Sequence, residues 1–115
     1  MPIFSLETNL PKDKIPQDFI KSTSKLVASI LGKPESYVCV IVKPDQLIEF
    51  GGSGDPCASA TLGSIGAVGG SANKKHSAAL ADHVQKHLGI AKDRWYINFI
   101  NLPPADVGYN GGTFA

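Results

Sequence analysis

Two cysteines are all that the 115 residues carry, and Cys39 and Cys57 stand in no CxxC pair and no Cys/His cluster. Two thiols so placed are too few for a disulfide framework, and both are read as reduced. A basic excess is also missing. Eleven Lys and Arg against ten Asp and Glu leave a formal charge of +1, which offers little to a phosphate backbone and sets nucleic acid aside as a partner. No run approaches the roughly 20 apolar residues of a membrane span, so no membrane insertion is expected. The start "MPIFSLETNL" lacks the basic and long apolar regions of a signal peptide, which points to a cytoplasmic product. The length fits one domain, residues 1–115, with no separate regulatory module.

What the chain does have is a repeat. "LGKPESYVCVIVKP" at 31–44 is matched half a chain later by "LGIAKDRWYINFINLP" at 88–103, each a helix end at Leu-Gly, a charged turn and an aromatic, β-branched strand. Ahead of the first copy, "IFSLET" reads as a strand. "KIPQDFIKSTSKLVASIL" follows as a helix, with Pro16 in its first turn and Ile15, Phe19, Leu26, Val27, Ile30 and Leu31 at helical spacing. Ahead of the second, "ASATLGSIGAV" reads as a strand. "SANKKHSAALADHVQKHL" is then a helix capped by Ser71 with a stripe of Leu80, Val84 and Leu88. The fold class is α/β, two pseudo-symmetric βαβ units forming one sheet with two helices on one face. "YVCVIV" and "WYINFI" are apolar at nearly every position, as strands buried on both faces are, yet two helices cover only one. An oligomer covers the other. The glycine-rich connector "DQLIEFGGSGDPCAS" and the tail "PPADVGYNGGTFA" read as turns, the tail with one or two short strands, and both could reach a neighbouring subunit.

Most candidate chemistry dissolves on spacing. "GSIGAVGGS" runs from a strand into a helix, but Gly63, Gly66, Gly69 and Gly70 give neither GxGxxG nor a P-loop, which leaves a tight turn able to face a small carboxylate or enolate oxygen. His76, His83 and His87 all lie on the second helix. Val84 stands where a zinc protease needs Glu and no further ligand completes a metal site, so the histidines are expected on a solvated face. Cys57 has Ala60 where a redox pair needs a second thiol, and no serine or cysteine carries a nucleophile elbow. Neither metal nor cofactor is implied. Pro2 is different. As a strand residue it is merely tolerated, but with Met1 removed it is a secondary amine, and α-amino groups titrate at about 7.7–8.0, so a modest lowering leaves a neutral base. Burial and a nearby cation, for which Lys33 is the candidate, both act in that direction.

"MPIFSLETNLP", "LGKPESYV", "PDQLIEFGGSGDPC", "SIGAVGG", "DRWYINF" and "ADVGYNGGTFA", in this order over the full length, resemble the macrophage migration inhibitory factor family of the tautomerase superfamily. The resemblance implies a homotrimer whose sheets wrap a central channel, with sites between adjacent subunits. It implies Pro2 as the catalytic base in keto–enol tautomerisation of a small aromatic 2-keto acid such as phenylpyruvate, or of dopachrome-like compounds. Lys33 and the Ile65 N–H would hold the substrate, with Ser64 beside them. Tyr96 and Asn98 would come from the neighbouring subunit, and Tyr37, Val107, Tyr109 and Phe114 would line the pocket. Tyr109 stands where mammalian members carry Trp. The resemblance further implies a pro-inflammatory cytokine of innate immunity, secreted without a signal peptide, that engages the class II invariant chain and chemokine receptors. A surface pair, Lys12 in place of Arg together with Asp45, would serve that contact.

Overall fold

Each half of the repeat folds as strand, helix and parallel strand. In the computed structural model, which describes residues 1–115, β1 (Pro2–Thr8), α1 (Phe19–Leu31) and β2 (Cys39–Lys43) form the first unit. The second is β3 (Ala58–Ser64), α2 (Gly70–Leu88) and β4 (Trp95–Asn101), and a small hairpin of β5 (Gly108–Tyr109) and β6 (Gly112–Thr113) closes the tail. The sheet order is β2-β1-β3-β4, with parallel outer pairs and an antiparallel central pair. In that central pair Pro2 faces Ser64 and Thr8 faces Ala58, so a local two-fold axis between Ser5 and Thr61 relates the halves.

Strand alternation decides the core. Phe4, Leu6, Ala60 and Leu62 point to the helix side, where they meet Phe19, Val27 and Leu31 of α1 and Leu80, Val84 and Leu88 of α2. Each large apolar side chain so withdrawn from water contributes about 1.5–3 kcal/mol. Both helices end at a left-handed glycine: the Gly32 N–H reaches the carbonyls of Ala28 and Ser29, and the Gly89 N–H that of Gln85.

The helix starts differ from the sequence expectation. Ile15, ahead of Pro16, is extended (φ −91°, ψ 113°), as a residue before proline tends to be, so the chain makes a short 3-10 turn at Lys12–Lys14 and α1 begins only at Phe19. Pro16 thus lies outside the helix. Nor does Ser71 cap α2. The cap is Gly69, whose N–H donates to Asn73 Oδ1 at 2.8 Å. β3 stops at Ser64 because Gly66 and Ala67 both take positive φ.

The histidines are not on a solvated face. His76 is 6% exposed and its Nε2 bonds the Ala67 carbonyl at 2.7 Å. His83 lies between the helices, stacked on Phe19 with 5.5 Å between centroids, its Nε2 3.0 Å from Thr23 Oγ1. β2 and β4 are covered on one face only within the chain, as two helices allow. The helix-free face carries the cross-strand rows Cys39–Ile3–Gly63–Ile100, Ile41–Ser5–Thr61–Asn98 and Lys43–Glu7–Ser59–Tyr96. Cys39, Ile41, Tyr96 and Ile100 stand exposed on it.

Candidate active site

One end of the sheet collects the groups that the sequence singles out. Pro2 opens β1 with its side chain fully buried, and Ser64, the last residue of β3, faces it across the ladder. Lys33 follows the αL glycine that ends α1, and this turn carries its ammonium to the Ile65 carbonyl, 2.9 Å away. The Ser64 hydroxyl is buried and has no partner. The Ser64 carbonyl accepts the Leu102 N–H at 2.9 Å and so points toward β4. In the trans peptide that joins them, the Ile65 N–H therefore points the other way, toward β1, and no backbone acceptor takes it. Burial, and then the Lys33 ammonium, lower the pKa of the chain's terminal amine, here on Met1.

Met1 lies in a cleft of about 330 Å³ that also brings together Ile3, Tyr37, Val107, Tyr109 and Phe114. The tail hairpin builds its wall: the Phe114 N–H donates to the Val107 carbonyl at 3.2 Å. Three rings then meet edge to face or stacked, with centroids 5.5 Å apart for Tyr37 and Tyr109, 5.8 Å for Tyr37 and Phe114, and 5.3 Å for Tyr109 and Phe114. An apolar, aromatic slot lined by the first residue of the chain, whose terminal amine feels the Lys33 ammonium, suits a flat aromatic anion.

Tyr96 and Asn98 do not join this end. Pro2 and Ser64 share a level with Asn101 of β4, five residues beyond Tyr96, a distance of about 17 Å along a strand, and both Tyr96 and Asn98 lie on the helix-free face. Tyr96 instead packs on Phe50 with centroids 4.9 Å apart. Three residues that sequence reasoning missed hold these parts in place. Arg94 donates to the four carbonyls of Phe50, Ser53, Asp55 and Pro56 at 2.7–3.4 Å and lies over the Phe50 ring. Asn101 Oδ1 accepts the Gly66 N–H at 3.0 Å, and His76 takes the next carbonyl of the same turn. His76 did carry a signal, since it precedes Leu80 and Val84 at four-residue steps on the buried stripe of α2.

A model of the macrophage migration inhibitory factor family matches residues 1–115. The chain belongs to that family. It is 54% identical over 114 residues to the macrophage migration inhibitory factor homolog of Trichinella spiralis, covering 99% of this chain and 100% of the relative. It is 45% identical to the Xenopus tropicalis macrophage migration inhibitory factor over the whole of both chains. The solved Trichinella spiralis structure superposes with a TM-score of 0.96 at 53% identity, covering 97% of this chain and 99% of that one. The Prochlorococcus marinus homologue gives 0.91 at 31% identity, over 98% and 99%. As a member of the macrophage migration inhibitory factor family the chain keeps the doubled βαβ fold.

The surface pair lies elsewhere on the molecule. The Asp45 N–H donates to the Leu10 carbonyl at 2.8 Å, which brings the β2 end beside the segment carrying Lys12, but no ion pair joins the two side chains. No three His, Cys, Asp or Glu side chains converge as a metal site. No helix is long and apolar enough to cross a membrane.

Proposed function

We propose that this member of the macrophage migration inhibitory factor family is a homotrimeric keto–enol tautomerase of phenylpyruvate-type acids, and of dopachrome-like compounds, whose base is the Pro2 amine freed by removal of Met1. The observation that carries the reading is the setting of the chain start, which lines an aromatic cleft and whose amine is held below its ordinary pKa by burial and by the Lys33 ammonium. Without Met1 the neutral secondary amine takes a proton from the carbon next to the substrate carbonyl, the C–H electron pair becomes the C=C bond as the carbonyl π pair moves onto oxygen, and the same proton is then delivered to that oxygen to complete the enol. Nothing is oxidised or reduced. Lys33 and the Ile65 N–H hold the substrate carboxylate, while Tyr37, Tyr109 and Phe114 receive its ring.

The trimer is supported by what one chain leaves open. Leu47 is fully exposed on the connector that Arg94 clamps, while Ile15, Ile20 and Val42 bound an empty cleft of about 290 Å³ near the β2 edge. Peg and cleft on adjacent copies match in kind. Tyr96 and Asn98, too far from Pro2 of their own chain, are then supplied to a neighbour's site. A second role, as a cytokine exported without a leader that engages class II invariant chain and chemokine receptors, is favoured by the family and by the neighbourhood of Lys12 and Asp45. In the alternative reading the pocket is vestigial and receptor binding is the whole function.

The test is Pro2→Gly in protein whose N-terminus has been confirmed by mass. Phenylpyruvate tautomerase kcat/KM is expected to fall by about 100-fold or more while the trimer and receptor binding persist. Unchanged turnover would remove Pro2 as the base.

A further inference from the structure

The turn from β3 to α2 is fixed at almost every residue by a side chain from elsewhere. The Ile65 carbonyl accepts the Lys33 ammonium at 2.9 Å, the Gly66 N–H donates to Asn101 Oδ1 at 3.0 Å, the Ala67 carbonyl accepts from His76 Nε2 at 2.7 Å, and the Gly69 N–H donates to Asn73 Oδ1 at 2.8 Å. These braces come from the end of α1, the end of β4 and the first turns of α2. Ala67 sits at φ +64°, a left-handed conformation that a residue with a Cβ keeps only where its surroundings over-determine it. The bracing that holds Ala67 there also fixes its neighbours in the turn. The Ile65 N–H, facing the chain start, is the group that gains from it, because a donor fixed before the substrate arrives needs no reorganisation when the anion binds.

Resting on the tautomerase reading, we propose that Asn101 and His76 are positioning residues of the active site. By holding the Gly66 N–H and the Ala67 carbonyl they aim the Ile65 N–H at the substrate carboxylate. His76 touches no substrate in this arrangement. It lies behind the turn, buried, with its ring 6.1 Å from that of Phe99, and acts only through Ala67. Asn101 likewise acts through Gly66. Each brace takes one backbone atom, so either loss lets the turn relax and turns the donor aside.

The experiment is steady-state kinetics on phenylpyruvate with Asn101→Leu, His76→Phe and His76→Gln in the Met1-free full chain, with Pro2→Gly as control. A carboxylate contact is made alike in ground and transition states. Asn101→Leu and His76→Phe should therefore raise KM about tenfold and leave kcat within about twofold, whereas His76→Gln, whose amide can still donate to Ala67, should recover most of the loss. If Pro2→Gly is inactive and KM is unchanged in both Asn101→Leu and His76→Phe, the positioning role is overturned and the tautomerase reading stands. An equal KM rise in His76→Gln, or a loss confined to kcat, also overturns it. An active Pro2→Gly overturns the underlying reading instead. Should His76→Phe fail to fold, Asn101→Leu alone decides between these outcomes.

Discussion

The two ends of the central β1–β3 pair are related by the local two-fold axis, yet they are finished in opposite ways. At one end Thr8 faces Ala58. There the Thr8 hydroxyl donates to the Cys57 carbonyl at 2.8 Å, the Cys57 N–H donates to Asn9 Oδ1 at 3.0 Å, and Ile90, next after Gly89, is fully buried. At the other end Ser64 faces Pro2. Its hydroxyl has no partner, and Lys33, next after Gly32, takes the place that Ile90 has in the twin. One end commits its polar groups to its own backbone. The other keeps a hydroxyl, an amide N–H and ammonium protons free at the end where the chain starts. The duplicated elements are equivalent in backbone, so the proposed chemistry resides in the residues at and just beyond their ends.

Exchanging residues between the two ends should cost most at the closed one. Ile90→Lys places at the closed end the residue that the open end carries, but the site is fully buried. A loss of about 3 kcal/mol or more in urea unfolding is expected, and an unchanged midpoint would show that the closed end has room for a cation. The reverse exchange, Lys33→Ile, should leave the melting temperature within a few degrees and lower kcat/KM for phenylpyruvate about 10- to 100-fold, the range of a hydrogen bond to a charged group. A trimer that unfolds instead would mean that the Lys33 bond to Ile65 is mainly structural. Thr8→Val, which strands the Cys57 carbonyl in the core, should cost about 1–3 kcal/mol in the same unfolding assay, with little change in kcat.

The halves also differ where their helices meet, and there the effect is smaller and depends on pH. The Thr23 hydroxyl gives its proton to the Phe19 carbonyl at 2.6 Å, so His83 Nε2 carries the hydrogen that reaches Thr23. Burial first, then His87 and Lys86, hold the His83 pKa below its ordinary 6.5. A base whose pKa is lowered by folding binds more protons unfolded than folded. Stability is therefore complete above about pH 6.5 and declines as pH falls through that value toward the folded pKa. The side chain is only partly withdrawn from water, so the decline is modest. It should appear as a lower urea midpoint at pH 5 than at pH 7.5, and His83→Gln should flatten the difference. An equal slope in the variant would assign it to other groups.

Sequence reading recovered the repeat because Leu-Gly stops and β-branched strands are local signals. It placed α1 too early because the extended bias at Ile15 outweighed the apolar spacing that runs through Pro16. The histidines were misjudged by residue type, although His76 shares the four-residue rhythm of Leu80 and Val84. Lys33 could be suggested as a cation before β2, but its bond to Ile65 crosses 32 residues of sequence. Asn101 meets Gly66 across 35. Such partners are set by strand order and register, which leave no mark beside either residue. Tyr96 and Asn98 were legible only through the resemblance, since a single chain gives them no place at the Pro2 end.

The finest difference between the two ends lies in a pair of hydroxyls. Thr8 and Ser64 occupy equivalent positions and both are fully buried, but only Thr8 bonds the carbonyl of the residue preceding its strand partner. Removing a bonded hydroxyl strands its acceptor, whereas removing an unpartnered one relieves a desolvated donor and costs only a little packing. Ser64→Ala should thus leave unfolding stability within about 0.5 kcal/mol of the parent, while Thr8→Val does not. If the Ser64 hydroxyl is kept for the site rather than the fold, the same Ser64→Ala change must lower kcat/KM for phenylpyruvate in Met1-free protein. Equal stability with equal kinetics would make this hydroxyl idle, and a stability loss above about 1 kcal/mol would show that the open end is closed after all.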